Sequence, residues 1–283
     1  VKRWIAREAS PIEEVVRAAG GDEAALDDGR VFVGRVRAKR GMAVNVGAEI
    51  VIHAPPPELA AIEVLLRTDD LVAVVKPAGI PTIPDHGGAS HSLLAATARA
   101  SSCAPSALHP TSRLDRDVSG VVIFARTSAG AAALLRAREE GKYLRRYVAL
   151  TKGVPSPAEG RWDAPIGRHA NPRLRTVRGR EARPAATRYR TVRVAGAYAW
   201  LVCEPETGRT HQIRVHASHA GAPLLGDGDY GGPTRVTSSG GKSETLRRIY
   251  LHCELVEVTL GRARLRVEAP VPEELERLWA RLR

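Results

Sequence analysis

Apolar residues in this chain come in short blocks, and the blocks predict mostly strands. Leu71–Val75, Val121–Ala125, Tyr147–Leu150, Thr187–Val194, Ala199–Cys203 and Ala263–Glu268 are brief, rich in β-branched or aromatic side chains, and set between turn residues. Helical spacing is rarer. Ser128–Glu140 begins on a capping serine and stops at Gly141. A second helix starting at Pro272 puts Leu275 and Leu278 on one face. Near the N-terminus, Ser10-Pro11-Ile12-Glu13 reads as a capping box with proline at the first helical position. That helix runs through Ala18 and stops at Gly20-Gly21, and Asp22 to Asp28 makes a second, short one. Arg30–Val33 and Glu49–His53 read as strands, with Gly41 and Gly47 at turns. Because strands and helices do not alternate regularly, the expected class is α+β, with a mixed, largely antiparallel sheet.

Three consecutive prolines, Pro55-Pro56-Pro57, fit neither a helix interior nor a central strand, so they mark a linker. The expected organisation is a small α+β domain over residues 1–54, a linker over 55–65, and a catalytic domain over 66–283. Thr234 to Arg248 is polar and glycine-containing and reads as a mobile loop.

Composition narrows the class. With 43% hydrophobic residues among 283, the chain can bury a substantial core. Its formal net charge of +12 favours a polyanionic partner, since each neutralised phosphate releases counterions. An arginine-rich proteome would account for the same charge. Cys103, Cys203 and Cys253 are odd in number, far apart and without CxxC spacing, which argues against a disulfide framework and a zinc ribbon and fits a reducing cytoplasm. Val1-Lys2-Arg3-Trp4 leads into charged residues, with no signal-peptide core and no membrane-length apolar run further on. The expectation is a soluble cytoplasmic monomer with no membrane partner.

Two segments carry candidate chemistry. In Ser112-Arg113-Leu114-Asp115-Arg116-Asp117-Val118-Ser119-Gly120, a carboxylate stands between arginines at the mouth of a strand. Guanidinium charge favours the ionised carboxylate, which can act as nucleophile or general base. A surface ion-pair cluster is the competing reading. In Thr207-Gly208-Arg209-Thr210-His211-Gln212-Ile213-Arg214-Val215-His216, Thr210 can cap a helix with Ile213, Ala217 and Ala220 on its apolar face and Gly221 as its stop. An ordinary amphipathic helix with a basic end explains that segment equally well.

Together the two segments closely resemble the signatures of the RluA-type pseudouridine synthases, the second continuing to Gly226-Asp227 and Tyr230. Lys76-Pro77-Ala78-Gly79, Arg146-Tyr147-Val148-Ala149, Ala186-Thr187-Arg188-Tyr189 and Leu251-His252 resemble further family motifs, so the resemblance spans roughly residues 66 to 275. The chain departs from the pattern at Ser112, where histidine is usual, at Val118 for threonine, and at Cys253 for alanine.

The resemblance implies an isomerase that detaches uracil from C1′, rotates it and reattaches it through C5, in ribosomal or transfer RNA, with no cofactor and no metal. Asp115 would be the essential carboxylate, attacking C6 or C1′ or deprotonating C2′. Tyr147 would stack on the target base, and Arg214 would pair with Asp115. Arg113 would help displace the target from its stack, as base access requires. Arg116, Arg209 and His211 join Arg113 as candidate RNA contacts, and Lys76 is either phosphate-contacting or structural. His211, His216 and His219 also read as packing or hydrogen-bonding residues, and Asp117 and Asp227 as backbone-orienting. The first 54 residues resemble an S4-type RNA-binding domain, with a structural appendage as the alternative. A non-catalytic RNA-binding protein and an Asp115/His211 hydrolase are the other function classes kept open.

Overall fold

The structure is a computed structural model that describes residues 1–34, 36–54, 61–84, 91–237 and 240–283. Arg35 and the Pro55-Pro56-Pro57 linker lie outside them. The chain divides into two compact units: residues 1–62 with 80–107, and residues 63–79 with 108–283.

The first unit opens on a strand that the hydrophobic pattern did not signal, Lys2–Ile5. It pairs antiparallel with Glu49–Ile52, which pairs in turn with Val31–Val33 and, beyond that, Val36–Arg37. Helices Ile12–Ala18 and Ala24–Asp27 add Ile12, Val16 and Leu26 to a core shared with Val31 and Ile50. The expected capping box does not form. Ser10–Pro11 is spent on pairing with Ala43–Val44, Pro11 becomes the N-cap residue with no side-chain cap, and Glu13 accepts instead from the Gly41 N–H at 2.7 Å. Residues 80–107 group with this unit, whereas a single cut after the prolines would assign them to the larger one. Their helix, Leu93–Ala100, is capped by Ser92, which accepts from the Ala95 N–H.

The second unit is built on one long sheet. Its strands lie in the order Glu159–Trp162, Thr187–Ala195, Tyr198–Pro205, Tyr143–Lys152, Leu251–Leu260, Ser119–Ala125, Leu71–Lys76 and Val64–Arg67. Ser119–Ala125 meets Leu251–Leu260 in parallel over two residue pairs, and the other junctions are antiparallel. The class is therefore the expected mixed, largely antiparallel α+β. Leu251–Leu260 was not among the expected strands, because Glu254 and Glu257 interrupt its apolar run. Both are paired, with Arg146 at 2.6 Å and Arg264 at 2.7 Å.

Three helices pack on the sheet, among them Gln212–His219, which buries Ile213 and Ala217. Ser128–Glu139 buries Leu134 and Ala137, and its cap is Thr127, one residue earlier than expected, which accepts from the Gly130 N–H at 3.0 Å. Glu273–Leu282 buries Leu275, Leu278, Trp279 and Leu282, with the Trp279 ring edge-on to Trp200 at 5.9 Å. The expected loop at Thr234 to Arg248 contains an antiparallel hairpin, Arg235–Thr237 with Ser243–Thr245, with Ser238 and Ser239 outside the described residues. Val236 and Leu246 anchor it by entering the core beside Trp279. No helix among the described residues is long and apolar enough to cross a membrane.

Candidate active site

The loop that carries Asp115 is held from beneath. Lys76, at the end of its strand, is fully buried, and its Nζ donates to the carbonyls of Pro77, Arg116 and Val118 at 2.9, 2.8 and 2.7 Å. All three ammonium protons are spent, so Lys76 is no phosphate contact; it fastens the turn that begins at Asp115. Burial pushes its pKa down to about 7, against the opposing pull of Asp117 and Asp115. Gly120 closes the loop onto the sheet with φ +122, where a Cβ would lie 2.2 Å from the Cys253 carbonyl oxygen. The motif glycine is thus dictated by backbone contact at the parallel junction.

Arg214 comes from the helix Gln212–His219 and is 5% exposed. Its Nη1 donates to Asp115 Oδ2 at 3.1 Å. Asp227 grips it twice, from Nε at 2.7 Å and Nη2 at 2.8 Å, Asp229 accepts from Nη2 at 3.2 Å, and the Tyr230 ring lies beneath the guanidinium at 4.8 Å. Burial works against this charge, and the hydrogen bonds and charges of Asp227 and Asp115 outweigh it, so the pKa rises above the ordinary arginine value. Asp227 therefore holds a side chain, where the sequence suggested a backbone-orienting role. It is delivered by Gly226, at φ +80, where a Cβ would stand 1.8 Å from the Arg248 carbonyl oxygen. Asp115 keeps one oxygen on Arg214, and no described residue donates to its Oδ1.

Thr210 does not cap the helix. His211 occupies that position in the left-handed region, φ +59, without a side-chain cap. Gln212 instead closes the entry, its Oε1 accepting from the Thr207 hydroxyl at 2.7 Å and the Arg209 N–H at 2.9 Å. The left-handed turn aims the His211 ring inward, with Nδ1 2.7 Å from the Tyr230 hydroxyl and Nε2 3.9 Å from Asp115 Oδ2. Burial holds its pKa below the usual histidine value, against Asp115, so the ring is neutral near pH 7 and offers no cation to phosphate. His216 is structural, bonded to Thr187 at 3.0 Å and the Ala164 carbonyl at 2.9 Å.

Tyr147 lies immediately after a register shift in its strand, between Cys203 and Cys253 on the neighbouring strands. Such bulges re-aim side chains. The ring is buried with the Cys253 thiol against its hydroxyl, and burial raises its pKa. Asp115, Tyr147, Arg214, Arg113, Arg209 and His211 all line one cleft. Arg113 is exposed there, Arg209 is anchored through Nε to the Pro184 carbonyl at 2.9 Å, and Arg116 lies off the cleft, donating to the Gly79 carbonyl at 3.3 Å. Two residues escaped sequence reasoning, Arg145 lining the cleft and Asp229 holding Arg214 from outside it. Arg145 was visible only as a neighbour of the tyrosine motif, and Asp229 only as part of a run of polar residues.

Comparison with known proteins follows the same residues. Residues 70–219 match the family model described as RNA pseudouridylate synthase. The chain is 36% identical over 259 residues to ribosomal large subunit pseudouridine synthase D of Xanthomonas campestris pv. campestris, covering 85% of this chain and 75% of that one. To the protein of the same name from Nitrosomonas europaea it is 35% identical over 233 residues, 80% of this chain and 67% of that one. Its fold is similar to that of human RNA Pseudouridylate Synthase Domain Containing 1, with a TM-score of 0.60 at 22% identity, over 77% of this chain and 86% of that one.

Proposed function

This chain belongs to the RNA pseudouridylate synthase family, of RluA type, and is an RNA-modifying isomerase; on that premise we propose that it converts a uridine of large-subunit ribosomal RNA through Asp115. The observation that carries the reading is the chain Asp227–Arg214–Asp115, which ends on a carboxylate oxygen that no described residue donates to, in a cleft that Tyr147 also lines. The names of the two bacterial relatives support the ribosomal target.

In this account the target uridine leaves its stack at a cost of a few kcal/mol, and Tyr147 beneath the base offsets part of it, since aromatic stacking contributes about 1–3 kcal/mol. Arg113, exposed at the cleft, fills the gap the base leaves. Asp115, kept charged by Arg214, acts on the nucleotide as nucleophile or base. The C1′–N1 bond breaks and a C1′–C5 bond forms, while C5 loses a proton and N1 gains one. No atom is added or removed overall, which is why we propose that no cofactor and no metal take part. We also propose that the protein acts as a monomer in the cytoplasm, where a ribosomal RNA target would be met. Residues 1–54 we read as an S4-like appendage with few phosphate contacts of its own.

The test is to map pseudouridines in total RNA from cells with and without this gene, alongside an assay of purified protein for pseudouridine and free uracil. Loss confined to large-subunit ribosomal RNA supports the proposal, and loss confined to transfer RNA overturns the target. Released uracil would make the chain a hydrolase instead.

A further inference from the structure

The strand Tyr143–Lys152 pairs with Tyr198–Pro205 only from Tyr147 onward. Ahead of that point the two strands part, and a groove of about 870 Å³ opens between them. It adjoins the catalytic cleft, sharing Arg145, Thr207, Gly208 and Arg209 with it.

The arginines of this groove fall into two kinds. Arg146 sits on Glu254 at 2.6 Å, Arg188 on Glu206 at 2.6 Å, and Arg266 on Glu257 at 3.8 Å and on Glu268. Arg138, Arg145 and Arg209 have no carboxylate within 4 Å among the described residues, and Arg209 is turned to the Pro184 carbonyl through Nε at 2.9 Å. Arg138, in the last turn of its helix, lies over the Tyr143 ring at 5.8 Å and donates Nη1 to the Thr111 carbonyl. Arg145 donates Nη2 to the Thr207 carbonyl at 2.7 Å, while its Nε is buried with no acceptor. The two guanidinium groups converge: a Cβ on Gly208 would stand 2.7 Å from Nη2 of Arg138 and 3.7 Å from Nη2 of Arg145. Burial and the Arg145 charge both push the Arg138 pKa down.

Two partly buried like charges that meet with donors unspent are costly on their own and become favourable around an anion. A groove between diverging strands that runs into the cleft of an RNA enzyme brings that anion as backbone. We propose that Arg138 and Arg145 together grip one RNA phosphate beside the target uridine, in the groove opened where the two strands part. The proposal rests on the RNA-enzyme reading above. It assigns to the groove a phosphate seat that the catalytic residues do not supply.

The experiment measures binding of a uridine-rich single-stranded RNA oligomer to the full chain across a salt series. Arg138→Met and Arg145→Met should each weaken binding. The double variant should flatten the dependence of log K on log salt by about 0.7, the value for one phosphate on a single strand. The Arg138→Lys/Arg145→Lys double variant should keep the slope. The control is Arg264→Met, which removes an exposed arginine already paired with Glu257 and should leave the slope unchanged. Inorganic phosphate should also raise the melting temperature of the wild type more than that of the Arg138→Met/Arg145→Met variant at equal ionic strength, a difference that removes phosphate's general stabilisation of folded chains. An unchanged slope in the double variant, a loss of about 1.4 (two separate phosphates), a wild type that does not bind the oligomer, or equal stabilisation of the two proteins by phosphate would each overturn the proposal. Pseudouridine formation by the wild type is measured in parallel. Its absence would remove the enzymatic reading while the binding data still judge the phosphate site.

Discussion

In the N-terminal unit, Arg3, Arg30 and Arg40 sit on Glu49, Asp28 and Asp27 at 2.8, 3.0 and 2.8 Å, and Lys2 donates to the Gly20 carbonyl at 2.6 Å. Around the catalytic cleft, Arg113, Arg138, Arg145 and Arg209 have no carboxylate partner among the described residues, and Arg214 alone is saturated, by three. The contrast holds for these named residues; Arg7 of the N-terminal unit, over the Trp4 ring at 5.6 Å, has no carboxylate partner among the described residues, and Arg146 and Arg188 near the cleft are paired with Glu254 and Glu206. A paired guanidinium has little charge left for phosphate, whereas an unpaired one at a cleft keeps both its field and its donors. The net charge of +12 is therefore a poor map of where RNA sits. We propose the distribution of missing partners as a better one, with Arg214 as the arginine that serves the proposed catalytic carboxylate instead of the substrate.

The largest effect among the basic residues is expected for Arg214→Ala. Removing one partner of a buried ion pair costs about 3–5 kcal/mol. Here it leaves Asp227 facing Asp115 with no cation between them. If that cost falls on the transition state, turnover should fall roughly 10²- to 10⁴-fold, since each 1.36 kcal/mol is tenfold, with RNA affinity much less affected. Single-turnover rates and dissociation constants for the variant separate the two. Normal turnover with weakened binding would move Arg214 to the phosphate-binding side of the comparison.

Lys76 sharpens the same contrast, as a cation spent wholly on backbone. Its folded pKa, near 7, lies below that of an unfolded lysine, so between the two values the unfolded chain binds the extra proton. The cost of burying the ammonium is fully present below about pH 7 and shrinks as pH rises toward the unfolded value. This site should therefore make stability rise with pH over that window, and Lys76→Met should abolish the contribution. Thermal melts of both proteins from neutral to alkaline pH check it; an identical pH dependence would mean that Lys76 does not titrate in this range.

Such roles explain how far the sequence could be read. The pairing of Arg214 with Asp115 was legible because the resemblance of the two motifs implied it, and so was the class of the sheet, whose strands largely alternate or form short apolar blocks. Lys76 was not, because only the tertiary fold buries the end of its strand beneath the Asp115 loop. Thr210 was read as a cap because local spacing allows it, but the left-handed His211 takes that place, held by Tyr230 nineteen residues away. Strand Leu251–Leu260 was masked by two glutamates whose partners lie on other strands. The hairpin at residues 235–245 was masked by polar flanks around its two anchoring residues. The pairing state of the arginines, on which the functional contrast turns, depends on contacts up to 108 residues apart, as in Arg146 with Glu254.

The smallest effect is expected at Arg40. It is paired with Asp27 and Glu23 on the N-terminal unit, so Arg40→Met should leave the salt dependence of RNA binding unchanged. A slope reduced by about 0.7 or more in this variant would make the N-terminal unit a phosphate-binding surface and dissolve the contrast.

The central claim is that the free oxygen of Asp115, and not the surrounding positive charge, performs the isomerisation. Asp115→Asn tests it most directly, since the amide keeps the shape of the side chain and removes the charge that Arg214 holds. The variant and the wild type are incubated with ribosomal RNA, and pseudouridine is quantified after digestion to nucleosides, with RNA affinity measured on the same preparations. The account expects no detectable pseudouridine from the variant and binding close to that of the wild type; conversion by Asp115→Asn near the wild-type rate would contradict it.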